Sequence, residues 1–472
     1  MKLFFWKISN GTQASCNSKL SLLHNELFSV TTSVGTVNVF SLFLPMFISS
    51  ISSVLIGTIN TAVLSGYSEV AVAATGTVNT LINLFNLLLI AINTGVSVVI
   101  SNYLGGEKLK KAAETGFVSI LTCALIGFAV SASMLVFSRP VIEMMNLEGE
   151  VLEQGIIYFR IRIAAMIIPA TTGVLSAILQ CYGYPKFTII ANLASVVCNL
   201  FFNVFVVYFP EYSPVKGVAG IAWGSVLSQL IALLIVLSFI IGLKIKIQPP
   251  KTVRDYFLRI GRVLKVGIPS SLSGGSFTLS QVITTAFIAT LGTTAINAKV
   301  YYANILTYAY MFSMNLGNAN SLLIGRLTGA ERYDHARRLN RTLVKITMSV
   351  NFAISMSIVL LRVPLLSMFT DNQSIIELGL TIFLIDIITE QARAVSQIYE
   401  YALRAAGDVT FTLIVVTLSC WGCSVGLAYV LSISCGLGLV GIWIALALDE
   451  SIRAVATFLR WRSNKWVGIL KT

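Results

Sequence analysis

The sequence is poor in charge and in the residues that build most catalytic and metal sites. Of its 472 residues only 11% are charged and two are histidine, whereas 56% are hydrophobic. A soluble domain carries about 25% charged residues, and a single soluble core stops growing at about 250–300 residues. The composition therefore excludes a soluble enzyme or a typical DNA-binding factor. His24 and His335 fall between the apolar segments, so a histidine site is not expected.

Motifs for redox, metal or nucleotide chemistry are also scarce. The seven cysteines lie mostly inside apolar segments and form no disulfide framework. Cys420 and Cys423 have redox or metal spacing, but no histidine or further cysteine clusters near them, which favours small residues in a packed helix. No G-x-x-x-x-G-K-[ST] motif occurs, so direct ATP drive is not expected. We predict neither a cofactor nor an enzymatic activity.

Long apolar runs, by contrast, are abundant. About twelve are long enough to cross a bilayer as a helix, which takes about 20 residues. The fold class is therefore predicted to be an all-α membrane protein. Prolines inside four runs either kink the helix or are merely tolerated. The predicted spans are 36–65, 70–103, 114–137, 153–181, 187–209, 217–243, 263–291, 295–327, 341–368, 377–405, 409–433 and 438–461, with prolines at Pro45, Pro169, Pro269 and Pro364.

The positive charge, +13 overall, is distributed unevenly along these spans. The two tails and the even-numbered loops hold 26 of the 33 Lys and Arg residues. The positive-inside rule then places both termini in the cytoplasm of a cell (plasma) membrane protein. The densest basic stretches, 244–265 and 326–345, are explained by attraction to anionic lipid, so no nucleic-acid partner is expected.

The two halves of the chain resemble each other at an offset of about 224 residues. Leu44-Pro45 corresponds to Ile268-Pro269, and 102–106 corresponds to 325–329. Six spans per half make the repeats parallel, a plan common in secondary transporters, although channels and scaffolds also duplicate. The predicted division is a tail at 1–35, a lobe at 36–243, a linker at 244–262, a lobe at 263–462 and a tail at 463–472.

Both halves contain short motifs that together cover about 36–466. They are Leu42-Phe-Leu-Pro45, Gly57-Thr-Ile-Asn-Thr-Ala-Val-Leu64, Gly105-Gly-Glu-Lys108, Gly267-Ile-Pro269, Gly325-Arg-Leu-Thr-Gly-Ala330, Leu403-Arg-Ala-Ala-Gly-Asp408 and Gly441-Ile-Trp443, followed by Asp449-Glu450 and Arg453. As an ensemble they resemble multidrug and toxic compound extrusion (MATE) transporters. The resemblance implies two six-helix lobes around a central cavity, and export of organic, often cationic, compounds against H+ or Na+.

The N-terminal lobe departs from the pattern that the resemblance implies. Asn60 and Asn203 stand where an Asp is usual in the family, and Asn199 matches a family Asn. The family cation site of this lobe therefore lacks its acids.

Ionisable residues inside the C-terminal lobe form a stripe on span 10. At 100° per residue they share a sector of about 80°. Placing ionisable groups inside a membrane costs free energy, so we take the stripe as a candidate functional site. The stripe comprises Asp386, Glu390, Arg393, Gln397, Glu400 and Arg404, of which Asp386, Glu390, Glu400 and Arg393 are candidates for ion coupling.

A structural alternative exists for the stripe. Glu390 and Arg393 are three residues apart, and Glu400 and Arg404 are four apart, spacings at which side chains pair along a helix. Lys299 on span 8 has no obvious acidic partner, and we expect it to extend to the interface.

Aligned asparagines on spans 2 and 8 provide candidates for a substrate cavity. Amides suit a hydrated cavity that accepts varied ligands, and Met and Tyr add adaptable surface. The alternative is hydrogen bonding between helices. The candidates are Asn83, Asn86, Asn304, Tyr308, Met311 and Asn315.

Taken together, the sequence predicts a monomeric secondary antiporter that moves a small organic substrate across the lipid bilayer, with H+ or Na+ as coupling ion. Two alternatives stay open. One is a flippase for lipid-linked precursors, and the other is a membrane scaffold that transports nothing.

Overall fold

The computed structural model describes residues 26–33, 35–65, 69–145 and 147–470. It confirms an almost entirely helical fold, in which twelve spans follow one another as predicted. We number them span 1 to span 12. Their bounds are Val39–Ser65, Glu69–Gly105, Leu109–Val136, the pair Gly149–Ala164 and Ile167–Cys181, Pro185–Tyr208, Gly217–Gly242, Val253–Thr290, Thr293–Gly329, Tyr333–Leu360, Gln373–Ala405, Val409–Ser419 with its continuation to Ser434, and Gly438–Arg462.

The spans differ in how apolar they are. Among the described residues, six helices can cross a membrane by length and composition, and the bent pair of span 4 makes a seventh. The other spans contain more polar residues. Such helices are viable in a bilayer when their polar faces meet protein or a water-filled cavity.

The structure corrects two spans that were predicted to be continuous. Span 4 bends by 46° between Ala164 and Ile167. Pro169 follows in the first turn of the second segment, where its missing N–H and its ring prevent an uninterrupted helix. The span predicted at 341–368 ends as a long helix at Leu360, and a separate short helix, Arg362–Ser367, contains Pro364.

The sequence prediction also placed two helix starts too late, because these helices begin with a charged segment before their apolar part. Span 7 begins at Val253, inside the predicted linker, and span 9 begins at Tyr333. The side chain of Thr252 accepts a hydrogen bond from the backbone N–H of Asp255, which caps span 7. The search for apolar runs could not detect these polar first turns.

The internal repeat extends to small elements. The short helix Ser138–Glu143 follows span 3, and Arg362–Ser367 follows span 9 at the matching place. Pro45 and Pro269 both lie inside the first helix of their lobe.

A β-hairpin precedes span 1, which the sequence did not predict. Strand β1 (Ser29–Thr32) pairs antiparallel with β2 (Gly35–Asn38), and Val30 faces Val37 across the ladder. Both valines are buried. Of the predicted tail, residues 1–25 lie outside the described part of the chain.

The apolar cores show where the two lobes meet. The loops that are rich in Lys and Arg lie at one end of the spans, which we call the basic end. The largest cluster of buried apolar residues joins both lobes there, from Leu104 on span 2 to Leu327 on span 8. Two further clusters each belong to one lobe, around Phe159 and around Phe383. The lobes are therefore packed together at the basic end and have separate cores towards the opposite end.

Candidate functional site

The C-terminal lobe encloses a cavity of about 250 Å³. Spans 7, 8, 10 and 12 form its walls, and charged, hydroxyl and aromatic side chains face it. The polar ones are Gln281, Thr284, Lys299, Thr307, Tyr310, Asp386, Thr389 and Arg393.

Span 10 supplies two buried acids to this region. Glu390 is fully buried; it accepts a hydrogen bond from Asn351 Nδ2 at 3.1 Å and pairs with Arg393. Asp386 lies one turn earlier, faces the cavity and is 4% exposed. Its Oδ2 atom has no hydrogen-bond partner among the described residues. The structure thus forms the predicted Glu390–Arg393 pair and leaves Asp386 with an unused acceptor.

Span 12 completes the cluster, and our reading of the sequence missed it. Arg393 Nε donates to Glu450 Oε1 at 3.1 Å. Arg453 contacts Glu450 at 2.9 Å and Asp449 at 2.8 Å. The spacing of Asp449, Glu450 and Arg453 along one helix was the signal available, because residues three and four apart are neighbours.

An irregular stretch of span 11 holds Asp449 in place. Span 11 changes from α- to π-helix over Cys420–Leu427. The i→i+5 hydrogen bonding of a π-helix brings residues five apart to one side, and such segments are frequent at functional sites. Ser424 Oγ accordingly donates to Asp449 Oδ2 at 2.8 Å, and Ser419 Oγ donates to Asp449 Oδ1.

Lys299 is partly buried and lines the same cavity as Asp386. Its ammonium donates to Thr285 Oγ1. The expectation that it extends to the membrane interface stays a prediction. The guanidinium of Arg393 lies 5.3 Å from the ring centroid of Tyr310, so cations border the cavity on two sides.

Glu400 belongs to a separate pair. It is buried and binds Arg404, four residues later, as the helix spacing predicted. Neither residue lines the cavity that contains Asp386.

The N-terminal lobe holds an uncharged network where the family pattern would place acids. Asn199 Nδ2 donates to Ser225 Oγ at 3.1 Å, and the buried Asn203 donates to Asn199 Oδ1 at 3.3 Å. Asn192 donates to Ser49 Oγ at 2.6 Å. Asn60 lies in span 1, and its side chain is outside the described part.

The six candidates for a substrate cavity have different surroundings. Asn315 is buried and accepts a hydrogen bond from Ser50 Oγ of the other lobe at 3.1 Å, as the alternative predicted. Met311 is buried as well, whereas Asn83, Asn304 and Tyr308 are exposed and Asn86 is partly buried. None of the six lines the cavity in the C-terminal lobe. Span 8 faces that cavity with Lys299, Ala303, Leu306, Thr307 and Tyr310 instead.

Comparison with known proteins assigns the family. A family model described as MatE matches residues 45–205 and again 269–430, once in each lobe and over more than half of the chain. The chain belongs to the MATE family. It is thus a multi-pass membrane transporter of a multidrug efflux family, and MATE transporters are not enzymes.

Individual relatives agree with this assignment over almost their full length. An uncharacterized transporter, YisQ of Bacillus subtilis, is 33% identical over 435 residues, which cover 92% of this chain and 95% of the relative. A probable multidrug resistance protein, NorM of Thermotoga maritima, is 23% identical and covers 90% of this chain and 92% of the relative.

Solved MATE structures share the fold. One described as the outward-facing conformation of a multidrug resistance MATE family transporter superposes with a TM-score of 0.82 at 20% identity, covering 95% of this chain and 98% of its own. A MOP superfamily transporter from Pyrococcus furiosus, whose description reports a reverse polarity of its binding pocket, superposes with a TM-score of 0.79 at 19% identity, covering 97% and 100%.

The basic end of this MATE fold is closed by tight contacts between the lobes. A Cβ atom on Gly105 of span 2 would overlap the carbonyl oxygen of Arg326 on span 8, and one on Gly329 would overlap that of Asn102. Asn102 Nδ2 also donates to Thr328 Oγ1 at 3.3 Å. Between spans 7 and 3, Arg259 binds the buried Glu114 at 2.8 Å.

Proposed function

We propose that this MATE protein is a secondary active antiporter that exports organic, cationic or amphipathic compounds in exchange for H+ or Na+. The observation that carries the proposal is the carboxyl group of Asp386. It is buried in the C-terminal lobe and faces a cavity, and its Oδ2 atom has no partner among the described residues. A buried carboxyl oxygen without a partner, on a residue that lines a cavity, is a candidate ligand for a cation.

The charge balance of the lobe supports this proposal. Four carboxyl groups, those of Asp386, Glu390, Asp449 and Glu450, are buried around two guanidinium groups, those of Arg393 and Arg453. Lys299 adds a third cation on the cavity wall. Ionised, these seven groups leave one negative charge uncompensated. Since an uncompensated charge inside a membrane is costly, one bound H+ or Na+ would stabilise the site.

The four acids of the cluster also differ in their binding partners. Glu450 and Asp449 each bind an arginine and a serine, and Glu390 binds an arginine and an asparagine. Carboxylates fixed in this way hold the helices together. Asp386 is the group that an ion from the cavity reaches first, so we assign it the coupling role.

We place the coupling site in the C-terminal lobe alone. The network of Asn192, Asn199 and Asn203 in the other lobe consists of amides and hydroxyls, which carry no charge to exchange. On this proposal the substitution of the family acids at Asn60 and Asn203 moves coupling to the C-terminal lobe instead of abolishing it.

The lining of the cavity favours an exporter over a flippase for lipid-linked precursors. Such a flippase needs a strongly cationic cavity because its cargo carries phosphate, whereas Lys299 and Arg393 are the two cations of this lining, and Arg393 is already paired with Glu390 and Glu450. The NorM relative is described as a probable multidrug resistance protein, which agrees with an organic substrate.

The transport cycle would be a rocking of the two lobes. In this cycle the packed basic end opens while the lobes approach each other at the opposite end. The coupling ion shifts the balance between the two states only through its unequal affinity for them. We propose that the basic end, with both termini, faces the cytoplasm at the plasma membrane, because the basic loops lie there.

The test is efflux of an organic cation, such as ethidium, from proteoliposomes under independently imposed proton and sodium gradients. We expect one of the two gradients to drive efflux, and Asp386→Asn to reduce the driven rate at least tenfold. Asp371→Asn is the matched control, since it makes the same change at an exposed loop position.

Two results would count against the proposal. Wild-type coupling in both Asp386→Asn and Glu390→Gln would remove these acids from the coupling site. If neither gradient moves any of several chemically different cations in the wild type, the result would favour a scaffold over an exporter.

A further inference from the structure

A second pocket lies at the basic end of the C-terminal lobe, away from the proposed coupling site. Spans 9 and 12 both pack on span 10, and the pocket occupies the groove between their basic ends. Its volume is about 410 Å³. It is lined by Arg337, Arg341, Tyr399, Phe458, Trp461, Arg462 and Asn464.

The three arginines give the pocket a positive charge that the protein compensates only in part. Arg337 binds the exposed Asp334 at 2.6 Å, and its Nε atom is buried with no hydrogen-bond partner among the described residues. Arg341 and Arg462 take part in none of the ion pairs that the described residues form. Guanidinium groups bind phosphate oxygens in a bidentate manner, so the missing partner has the chemistry of a phosphate.

The surface next to the pocket indicates that the ligand carrying this phosphate also has an apolar part. Ile452, Val455 and Leu459 on span 12 are 48%, 58% and 55% exposed, and Arg462 follows three residues after Leu459. The steps of three and four residues place all four on one helix face. An apolar stripe therefore runs from the pocket towards the middle of the membrane.

Aromatic rings mark the depth of the pocket. Tyr399 packs against Phe458 and Trp461, with ring centroids 5.6 and 6.1 Å apart. Tyr399 and Trp461 are buried, so they form the floor of the pocket between the helices. Basic pockets between helices on the cytoplasmic side, where we propose that the basic end lies, bind anionic lipid head groups.

We infer that this pocket is a binding site for an anionic phospholipid. The phosphodiester binds the guanidinium groups of Arg341, Arg462 and Arg337, and an acyl chain lies along the stripe of Ile452, Val455 and Leu459. The site is separate from the transport proposal and does not depend on it.

The test measures lipid binding to the full-length protein in detergent by native mass spectrometry, with dioctanoyl phosphatidylglycerol as probe. We expect Arg341→Ala/Arg462→Ala to weaken binding at least tenfold. Arg332→Ala/Arg338→Ala is the matched control, because it removes two exposed charges of the same end that do not line the pocket. Each variant should keep the gel-filtration profile and the lipid-free thermal midpoint of the wild type.

Two further probes identify the source of the phosphate. Dioctanoyl phosphatidylcholine should bind more weakly, since its choline neutralises the phosphodiester, and inorganic phosphate should not compete at lipid concentrations. If the control variant weakened lipid binding as much as Arg341→Ala/Arg462→Ala, diffuse electrostatic attraction between the basic end and the lipid would explain the binding, and the inference would be overturned. Inorganic phosphate that competes as well as the lipid would overturn the assignment to a phospholipid.

Discussion

At the scale of single residues, two buried aspartates of one cluster have different surroundings. Asp449 accepts hydrogen bonds from Ser424 and Arg453, both at 2.8 Å, and from Ser419. Asp386 keeps Oδ2 without a partner among the described residues. The protein thus holds both oxygens of Asp449, whereas Asp386 is available to a ligand.

Lys299 should tune the affinity of the cavity for its coupling ion. Its ammonium group borders the same cavity as Asp386 and repels an incoming cation. Lys299→Met should therefore lower the ion concentration for half-maximal ethidium efflux by about tenfold, which corresponds to ~1.4 kcal/mol. Lys299→Arg keeps the charge and should behave like the wild type. An equal shift in both variants would show that the shape of the side chain at position 299, and not its charge, sets the affinity for the coupling ion.

The sequence allowed part of this site to be predicted. Asp386, Glu390 and Arg393 were recognised because their helical spacing forms one stripe, and the structure brings them together. The partners on span 12 were missed because a stripe on one helix does not say which helix packs against it. The π-helical segment around Ser424 could not be predicted for the same reason, because it depends on contacts between helices.

At the scale of helices, glycine allows spans 2 and 8 to approach each other at the basic end. Gly329 lies against the backbone carbonyl of Asn102, and Gly105 lies against that of Arg326. The two contacts are equivalent when spans 2 and 8 are aligned at their last residues, Gly105 and Gly329, an offset of 224 residues that is one more than in the sequence alignment of 102–106 with 325–329. Side chains of any size at these glycines would push the two helices apart.

Gly329→Ala should destabilise the closed basic end. The added methyl group overlaps the Asn102 carbonyl, and overpacking of this kind costs ~1–3 kcal/mol. We expect a lower thermal midpoint in detergent. Gly261→Ala is the control: it is also a helical glycine near this end, but its added Cβ would meet no atom within 4 Å. A control variant as unstable as Gly329→Ala would refute the role of the close approach.

The helices themselves were largely predictable, and their ends were not. The apolar runs identified all twelve spans, because a bilayer demands about 20 apolar residues of each. Spans 7 and 9 nevertheless begin at Val253 and Tyr333, before the apolar part. Outside the hydrocarbon region a helix is stabilised by caps and by packing against neighbours, so its start need not be apolar. The bend before Pro169 comes from the backbone chemistry of proline, which a search for apolar runs does not detect.

At the scale of the whole molecule, the arrangement of the cores defines a state of the transporter. One core joins the lobes at the basic end, and each lobe keeps its own core elsewhere. In the proposed rocking cycle, the other conformation must break the first core and can leave the other two unchanged. The contacts that this conformation loses are therefore concentrated at the basic end.

The ion pair between Glu114 and Arg259 should stabilise this closed state. It links spans 3 and 7 through two hydrogen bonds, at 2.8 and 3.1 Å, and the Glu114 side chain is 6% exposed. Glu114→Ala leaves Arg259 unpaired, at a cost of about 3 kcal/mol. We expect double electron–electron resonance between labels at Lys186 and Arg338, in a cysteine-free background, to show longer distances.

The exchanged pair Glu114→Arg/Arg259→Glu provides the control for that experiment. It restores opposite charges between spans 3 and 7 and should restore the short distances. If the label distances in Glu114→Ala match those of the wild type, the ion pair does not stabilise the closed state. The apolar core and the glycine contacts alone would then hold the basic end closed.

The unequal charge of the two lobes has an electrical consequence. Moving one elementary charge across a membrane potential of 100 mV is worth about 2.3 kcal/mol. In the proposed cycle, the buried cluster of the C-terminal lobe, whose groups sum to one negative charge, would respond to that field when the lobe reorients empty, whereas the amide network of Asn192, Asn199 and Asn203 would not. The resting voltage of the cell would thus act as a force on one of the two equivalent sites of the duplicated chain, and the two sites would differ in what drives them as well as in what they bind.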